Sequence, residues 1–362
     1  MQKKLVLVAA VAGALAAPAA MADVRVSGLV DVGIQSVDPG SGYDGSKIHM
    51  TDNMGAGGSR LNFTASEDLG GGLKAIGVAE LGWNIDSGQG DSGNTCPAGG
   101  PINACTSTSL SPGKTFQRQT WAGLAGGFGT VALGRQYREI FLAGARSSYN
   151  YTASGIGVFW LNTGTGVRQD NMIKYTSPTI GGGVKVAAAY APGEGTAAAN
   201  KDNDKFQEFS ASWSSGPLSL NAAVGTSTAM TAGTGVDTKT TIVGGHYMFG
   251  AATVYALYSQ SKVDGGAEAK ATSVTGKYRV GNGDIVLAIG NKKVSPGSEV
   301  DSSLLGLGYF HWLSKTTNLF FTYGAISNDA NVYLTAPRQA SGATAGVGED
   351  PTVIAVGWVQ RF

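Results

Sequence analysis

From Asp23 onward the chain alternates apolar and polar residues with a period of two. Val24, Val26, Val30, Val32 and Ile34 share one parity, while Arg25, Ser27 and Asp31 share the other. Leu61, Phe63 and Ala65 alternate with Arg60, Asn62, Thr64 and Ser66. Leu73, Ala75, Ala79, Leu81, Trp83 and Ile85 alternate with Lys74, Glu80 and Asn84. Such a period puts the two sets on opposite faces of a β-strand. The pattern predicts strands at 24–35, 58–67, 72–85, 114–125, 128–136, 168–177, 182–191, 205–215, 217–226, 239–249, 251–261, 271–280, 283–292, 302–313, 316–327 and 351–362. That makes sixteen segments, an even number, most of them near the ~9–11 residues a tilted strand needs to cross a bilayer.

The connections alternate too. Short turns such as Asp68-Leu69-Gly70-Gly71-Gly72, Gly126-Gly127 and Gly281-Asn282-Gly283 follow every second segment, and longer polar loops follow the rest. Short turns on one side and long loops on the other organise an outer-membrane barrel. A secreted sandwich also alternates, but two features favour the barrel. Aromatic residues near strand ends on the apolar parity (Trp83, Trp121, Tyr175, Tyr190, Trp213, Tyr247, Tyr278, Trp358) suit interfacial girdles. Long charged side chains on the other parity suit a wet lumen. The expectation is therefore all-β: a 16-stranded antiparallel transmembrane β-barrel, wide enough to enclose an aqueous channel.

The N-terminus changes the picture by adding export. Met1-Gln2-Lys3-Lys4, an uncharged run from Leu5 to Ala17 and then Ala20-Met21-Ala22 read as a signal peptide spanning residues 1–22. The mature barrel is expected over 23–362 as one domain. Composition agrees with a turn-rich β protein: 56 glycines among 362 residues and 14% charged residues. A net charge of +1 points to no nucleic-acid partner. Cys96 and Cys105 share one polar segment, where an oxidising compartment favours a local disulfide over a metal site, which would need further ligands. His49, His246 and His311 are scattered, so no metal site and no cofactor are expected.

Several motifs fail on mechanism. Gly127-Phe128-Gly129-Thr130-Val131-Ala132 matches a dinucleotide fingerprint, but it opens a strand rather than a helix. No recognisable nucleophile motif accompanies any of the histidines, so an enzyme is not expected. A surface protein acting through its loops remains compatible with a pore.

Other residues carry a family resemblance. Val24-Arg25-Val26-Ser27-Gly28-Leu29-Val30-Asp31, then Ser66-Glu67-Asp68-Leu69-Gly70-Gly71-Gly72-Leu73-Lys74-Ala75, resemble the first strand and second hairpin of the general porins of β-proteobacteria and their neisserial relatives. Arg118-Gln119, Gly126 to Gln136, and Arg168-Gln169-Asp170-Asn171 with Tyr175-Thr176-Ser177-Pro178 are similar to further motifs of that family. Trp358 and the final Phe362 resemble the assembly signal of outer-membrane barrels. The resemblance implies a homotrimer, each pore narrowed by an infolded third loop over about 137–167, and an arginine ladder on the wall facing that loop. It also implies the outer-membrane lipid, lipopolysaccharide and the barrel-assembly machinery as partners, with small hydrophilic solutes and ions as cargo.

Parity assigns the lumen where register holds. Arg60, Lys74, Glu80, Arg118, Arg168, Asp170, Lys174 and Lys185 are expected there, with Arg138, Glu139 and Arg146 in the third loop. Arg60, Arg118 and Arg168 match the implied ladder. Arg135 shares parity with Val131 and Leu133, which makes it a weaker lumen candidate. Closely spaced guanidinium groups concentrate anions and repel cations, so a weak anion preference is expected. The alternative is that these charges pair with Glu80, Asp170 or Glu208 and serve packing alone.

Overall fold

The computed structural model describes residues 22–40, 47–52, 54–88, 90, 115–161, 166–194, 201–231, 234–295, 301–330 and 348–362. Cys96 and Cys105, and residues 1–21 of the expected signal peptide, lie outside them. The strands are β1 (Asp23–Asp38), β2 (Lys47–Asp52), β3 (Arg60–Gly70), β4 (Leu73–Gly82), β5 (Gln119–Gly126), β6 (Gly129–Tyr137), β7 (Arg168–Thr176), β8 (Val184–Ala191) and β9 (Phe206–Ser215). They continue with β10 (Leu218–Thr231), β11 (Thr234–Phe249), β12 (Ala252–Val263), β13 (Glu268–Val280), β14 (Gly283–Ser295), β15 (Ser302–Trp312), β16 (Thr317–Asn328) and β17 (Thr352–Arg361).

Two of these segments are halves of one stave. β2 and β3 both pair with β1, opposite residues 32–37 and 23–29 respectively. Counted together they leave sixteen antiparallel strands, as the alternation predicts. The other edge of β1 pairs with β17 from Leu29↔Arg361 to Asp38↔Thr352, which closes the barrel. Phe362 extends this seam: its amide donates to the Gly28 carbonyl and its carbonyl accepts from the Gly28 amide. Closure matters because hydrocarbon offers no partner to an open strand edge.

The barrel is apolar outside and packed inside. Ile285, Leu287 and Ile289 of β14, with Leu305 and Leu307 of β15, are exposed on the outer face. Between them Val286, Ala288 and Leu304 are buried on the inner one. Tyr190, Tyr247, Tyr278 and Trp358 are also exposed. Trp121 departs from the expected girdle: Thr120, Ala122 and Leu124 are the exposed positions of β5, and Trp121 shares the face of Gln119. The turn after β3 needs three glycines, Gly70, Gly71 and Gly72, all at positive φ.

One hairpin is longer than alternation suggests. Alternation ends one strand at 226 and begins the next at 239, yet β10 and β11 pair out to Thr231↔Thr234. Thr226, Ser227 and Thr228 are polar on both parities, so the period of two disappears there. Their backbones still pair, and Thr suits a strand.

The third long connection, between β6 and β7, turns into the barrel. It contains the helix α1 (Glu139–Arg146) and a single 3-10 turn at Val158–Trp160. Ile140, Ile156 and Leu161 from this loop are almost fully buried with inward residues of the far wall, including Val286, Leu304 and Phe310. Each such side chain contributes roughly 1.5–3 kcal/mol when removed from water. Gly155 (φ 74) lies against the backbone of Tyr323 and Gly324, where a Cβ would meet atoms at 3.0 Å.

Candidate pore constriction

Where β3, β5, β6 and β7 approach the infolded loop, three arginines gather around one phenol. Arg60 opens β3, Arg118 immediately precedes β5 and Arg168 opens β7. Tyr137, the last residue of β6, accepts at its Oη from Arg118 Nη2 at 2.9 Å and from Arg168 Nη2 at 3.0 Å. The Arg168 guanidinium also lies 4.7 Å from the Tyr137 ring centroid, a cation–π contact. Tyr137 in turn stacks on Phe141 of α1 at 5.3 Å. The phenol is thus a common support for two cations, and a sequence reading confined to charged residues does not find it.

Glu80 of β4 is the carboxylate of this group. Arg118 Nε reaches its Oε1 at 2.5 Å with both side chains buried, and Gln119 Nε2 donates to its Oε2 at 3.1 Å. Arg60 donates weakly, at 3.4 Å, to the carbonyls of Gly57 and Gly58. Arg168 Nε is buried without a hydrogen-bond partner among the described residues. Arg60, Arg118 and Arg168 line a cavity of about 280 Å³ together with Tyr137, Phe141 and Tyr151. Three guanidinium groups thus line it while Glu80 is paired to Arg118 and is not among the lining residues, which leaves positive charge in a confined space.

The remaining expected charges separate into three sets. Arg138 and Glu139 pair across the base of the loop: Arg138 Nη2 lies 2.9 Å from Glu208 Oε1, and Lys174 Nζ lies 3.1 Å from Glu139 Oε1. Glu208 Oε2 accepts the amides of Glu139 at 2.6 Å and Ile140 at 3.2 Å, so it also caps α1. Asp170 faces Arg135, at 2.5 Å, rather than the three-arginine group. The two meet where the pairing slips between Gly134↔Met172 and Gln136↔Gln169, which places one extra residue in β7. Lys74 is exposed beside the turn after β3, across from Asp68 and away from Glu80, so it does not join the narrow zone. Lys185 sits similarly at the start of β8. Arg146 is exposed at the end of α1, with no ion pair among the described residues.

A second cluster forms below the loop. Tyr149 Oη donates to Asp284 Oδ2 at 3.2 Å, and Asp284 pairs with Arg279 at 2.7 Å. Burial, and then the Asp284 carboxylate, push the Tyr149 phenol well above its ordinary range. Lys277 lies 5.7 Å from the Tyr149 ring. Arg279 and Lys277 share the inner parity of β13, but the short spacing to the turn hides their depth from sequence alone.

Comparison with known proteins places this architecture. The Gram-negative porin family model matches residues 8–331. Outer membrane porin protein 32 of Delftia acidovorans is 30% identical over 379 aligned residues, covering 99% of this chain and all of that protein. The major outer membrane protein P.IB of Neisseria gonorrhoeae is 29% identical over 182 residues, 48% of this chain and 44% of its own. Among solved structures, an anion-selective porin from Comamonas acidovorans superposes with a TM-score of 0.79 at 25% identity, covering 94% of this chain and 100% of its own. With a closed barrel, an infolded loop and a match along nearly its whole length, the chain belongs to the Gram-negative porin family.

Proposed function

We propose that this outer-membrane porin is a passive diffusion channel for ions and small hydrophilic solutes with a weak preference for anions. One observation carries the preference: Arg60, Arg118 and Arg168 line a single cavity, while Glu80 is paired to Arg118 and is not among the lining residues. A guanidinium stays charged and presents several donors to a passing carboxylate or phosphate. The preference is weak because Arg118 is tied to Glu80 and Arg138 to Glu208. The anion-selective structural relative supports the same sign.

In this reading Arg60 and Arg168 carry the selectivity, and Arg118 is partly neutralised. Arg138, Glu139 and Lys174 hold the loop, Arg146 adds charge at the end of α1, and Lys74 and Asp170 act outside the narrowest zone. Membership of a channel family supports pore formation without catalysis. The working unit is a homotrimer, the assembly implied by the family resemblance. Export removes residues 1–22, Cys96 and Cys105 pair in the oxidising exterior, and Trp358 with Phe362 presents the barrel to its assembly machinery. Loop acids such as Asp38, Asp44, Asp86 and Asp91 offer contacts to lipopolysaccharide through bridging cations.

Single-channel recording in a planar bilayer under a tenfold potassium chloride gradient tests the reading. Current steps in groups of three with a reversal potential on the chloride side are expected. A reversal potential on the potassium side would overturn the anion preference, and an absence of steps from folded protein would overturn the channel.

A further inference from the structure

The second barrel strand is interrupted, and the interruption is held from inside by a buried carboxylate. Between β2 and β3 the chain leaves the sheet, and Met54 there is fully buried. Asp31, an inward residue of β1 with no exposed surface, accepts three backbone amides from this inturn. Gly55 donates at 2.9 Å, Ala56 at 2.7 Å and Gly58 at 3.3 Å. Ser59 completes the attachment: its Oγ accepts the Asp31 amide at 3.0 Å and donates to the Asp31 carbonyl at 3.3 Å. An anion surrounded by successive amides makes strong charge-assisted hydrogen bonds. A neutral side chain there would leave buried donors poorly satisfied.

The inturn touches the constriction loop directly. The Ser154 amide donates to the Met54 carbonyl at 2.9 Å. Met54 belongs to the same buried cluster as Ile156 and Phe159 of the loop. The neighbouring Gly155 is seated on the backbone of Tyr323 and Gly324. The tip of the loop is thus gripped between the inturn and β16, while Glu208 fixes only its base, about fifteen residues earlier.

We propose that Asp31 is a positioning residue for the pore: through its amide nest it holds Met54, and through the Met54–Ser154 hydrogen bond it sets how far the third loop projects into the lumen. The pore's calibre then depends on β1 as well as on the loop. The inference rests on the channel reading above, yet its first readout is independent of conduction.

Asp31→Asn, made in the full chain and recovered as native barrel, keeps the size of the side chain and removes its charge. Hydrogen exchange over residues 150–157 is expected to accelerate by about tenfold, the effect of losing about 1.4 kcal/mol of local protection. Single-channel conductance is expected to rise, with closure at lower voltage. Asp31→Glu restores the anion and is expected to move both readouts back toward the native values. Because Asp31 also bears on the field at Arg60, Ala56→Pro provides the second variant. It deletes the shortest donor without changing any charge, and it decides alone if Asp31→Asn does not assemble. Faster exchange at the tip in a folded variant supports the proposal. Native exchange over 150–157 together with native conductance in a folded variant overturns it. Faster exchange in a protein that never conducts would keep the loop grip and fail only the channel reading.

Discussion

Arg138 Nη2 and Glu208 Oε1 stand 2.9 Å apart, both buried, at the point where the third loop leaves the barrel wall. The same carboxylate caps the first turn of α1, so one acid on β9 fixes both the loop's counter-charge and its direction. Removing one partner of a buried pair leaves the other uncompensated, which costs about 3–5 kcal/mol. Glu208→Gln is therefore expected to lower the denaturant midpoint of the folded barrel and to raise hydrogen exchange across α1. An unchanged midpoint and unchanged exchange would show that the pair does not hold the loop.

Glu80 is the acid within the three-arginine group. Glu80→Gln removes a negative charge while keeping the side chain's shape, so the reversal potential in a salt gradient should move further toward chloride. Arg60→Gln and Arg168→Gln should move it the other way. All three shifts should shrink in 1 M salt, where the screening length falls to about 3 Å. A shift toward potassium in Glu80→Gln would contradict the assignment of the field to this group.

Tyr137 supports Arg118 and Arg168 through one oxygen. Tyr137→Phe keeps the ring, and hence its stacking on Phe141, but leaves two buried guanidinium groups without that acceptor. The expected cost is about 1–3 kcal/mol, read from the unfolding midpoint. Noisier open-channel current should accompany it as the arginines gain freedom. Equal stability and equal noise would mean that the phenol is incidental.

Leu287 lies on the outer face of β14 with its neighbours Ile285 and Ile289. Leu287→Arg should destabilise the barrel by about 2–4 kcal/mol in lipid bilayers, as a cation near the middle of a lipid-facing strand does. Unfolding in vesicles measures it. No loss of stability would place this face against something other than hydrocarbon.

How far the sequence determined this protein follows from how local each signal is. Alternation in Val24–Ile34 or Thr272–Val280 depends on residues two apart, so the strands, their faces and the even count were legible, and the glycine turns marked where they reverse. Arg60 could be placed on the inner side because parity survives along β3, whereas Arg118 shares parity with the exposed Thr120 and Leu124 and Arg168 lies beyond the slip in β7. The tertiary structure alone decided what those charges meet. Arg118 with Glu80, Arg138 with Glu208 and Arg135 with Asp170 are each separated by 35 to 70 residues, and closure of the sheet sets their distances. The register shift opposite Gly134 and the inturn after β2 follow no period, so alternation gives no sign that Asp170 meets Arg135 or that Asp31 holds the inturn. Tyr137 carries no charge and follows no motif. Its role appears only when β5, β6 and β7 bring two cations to one oxygen, because a period of two records which face a residue takes and nothing about which residues share the space in front of it.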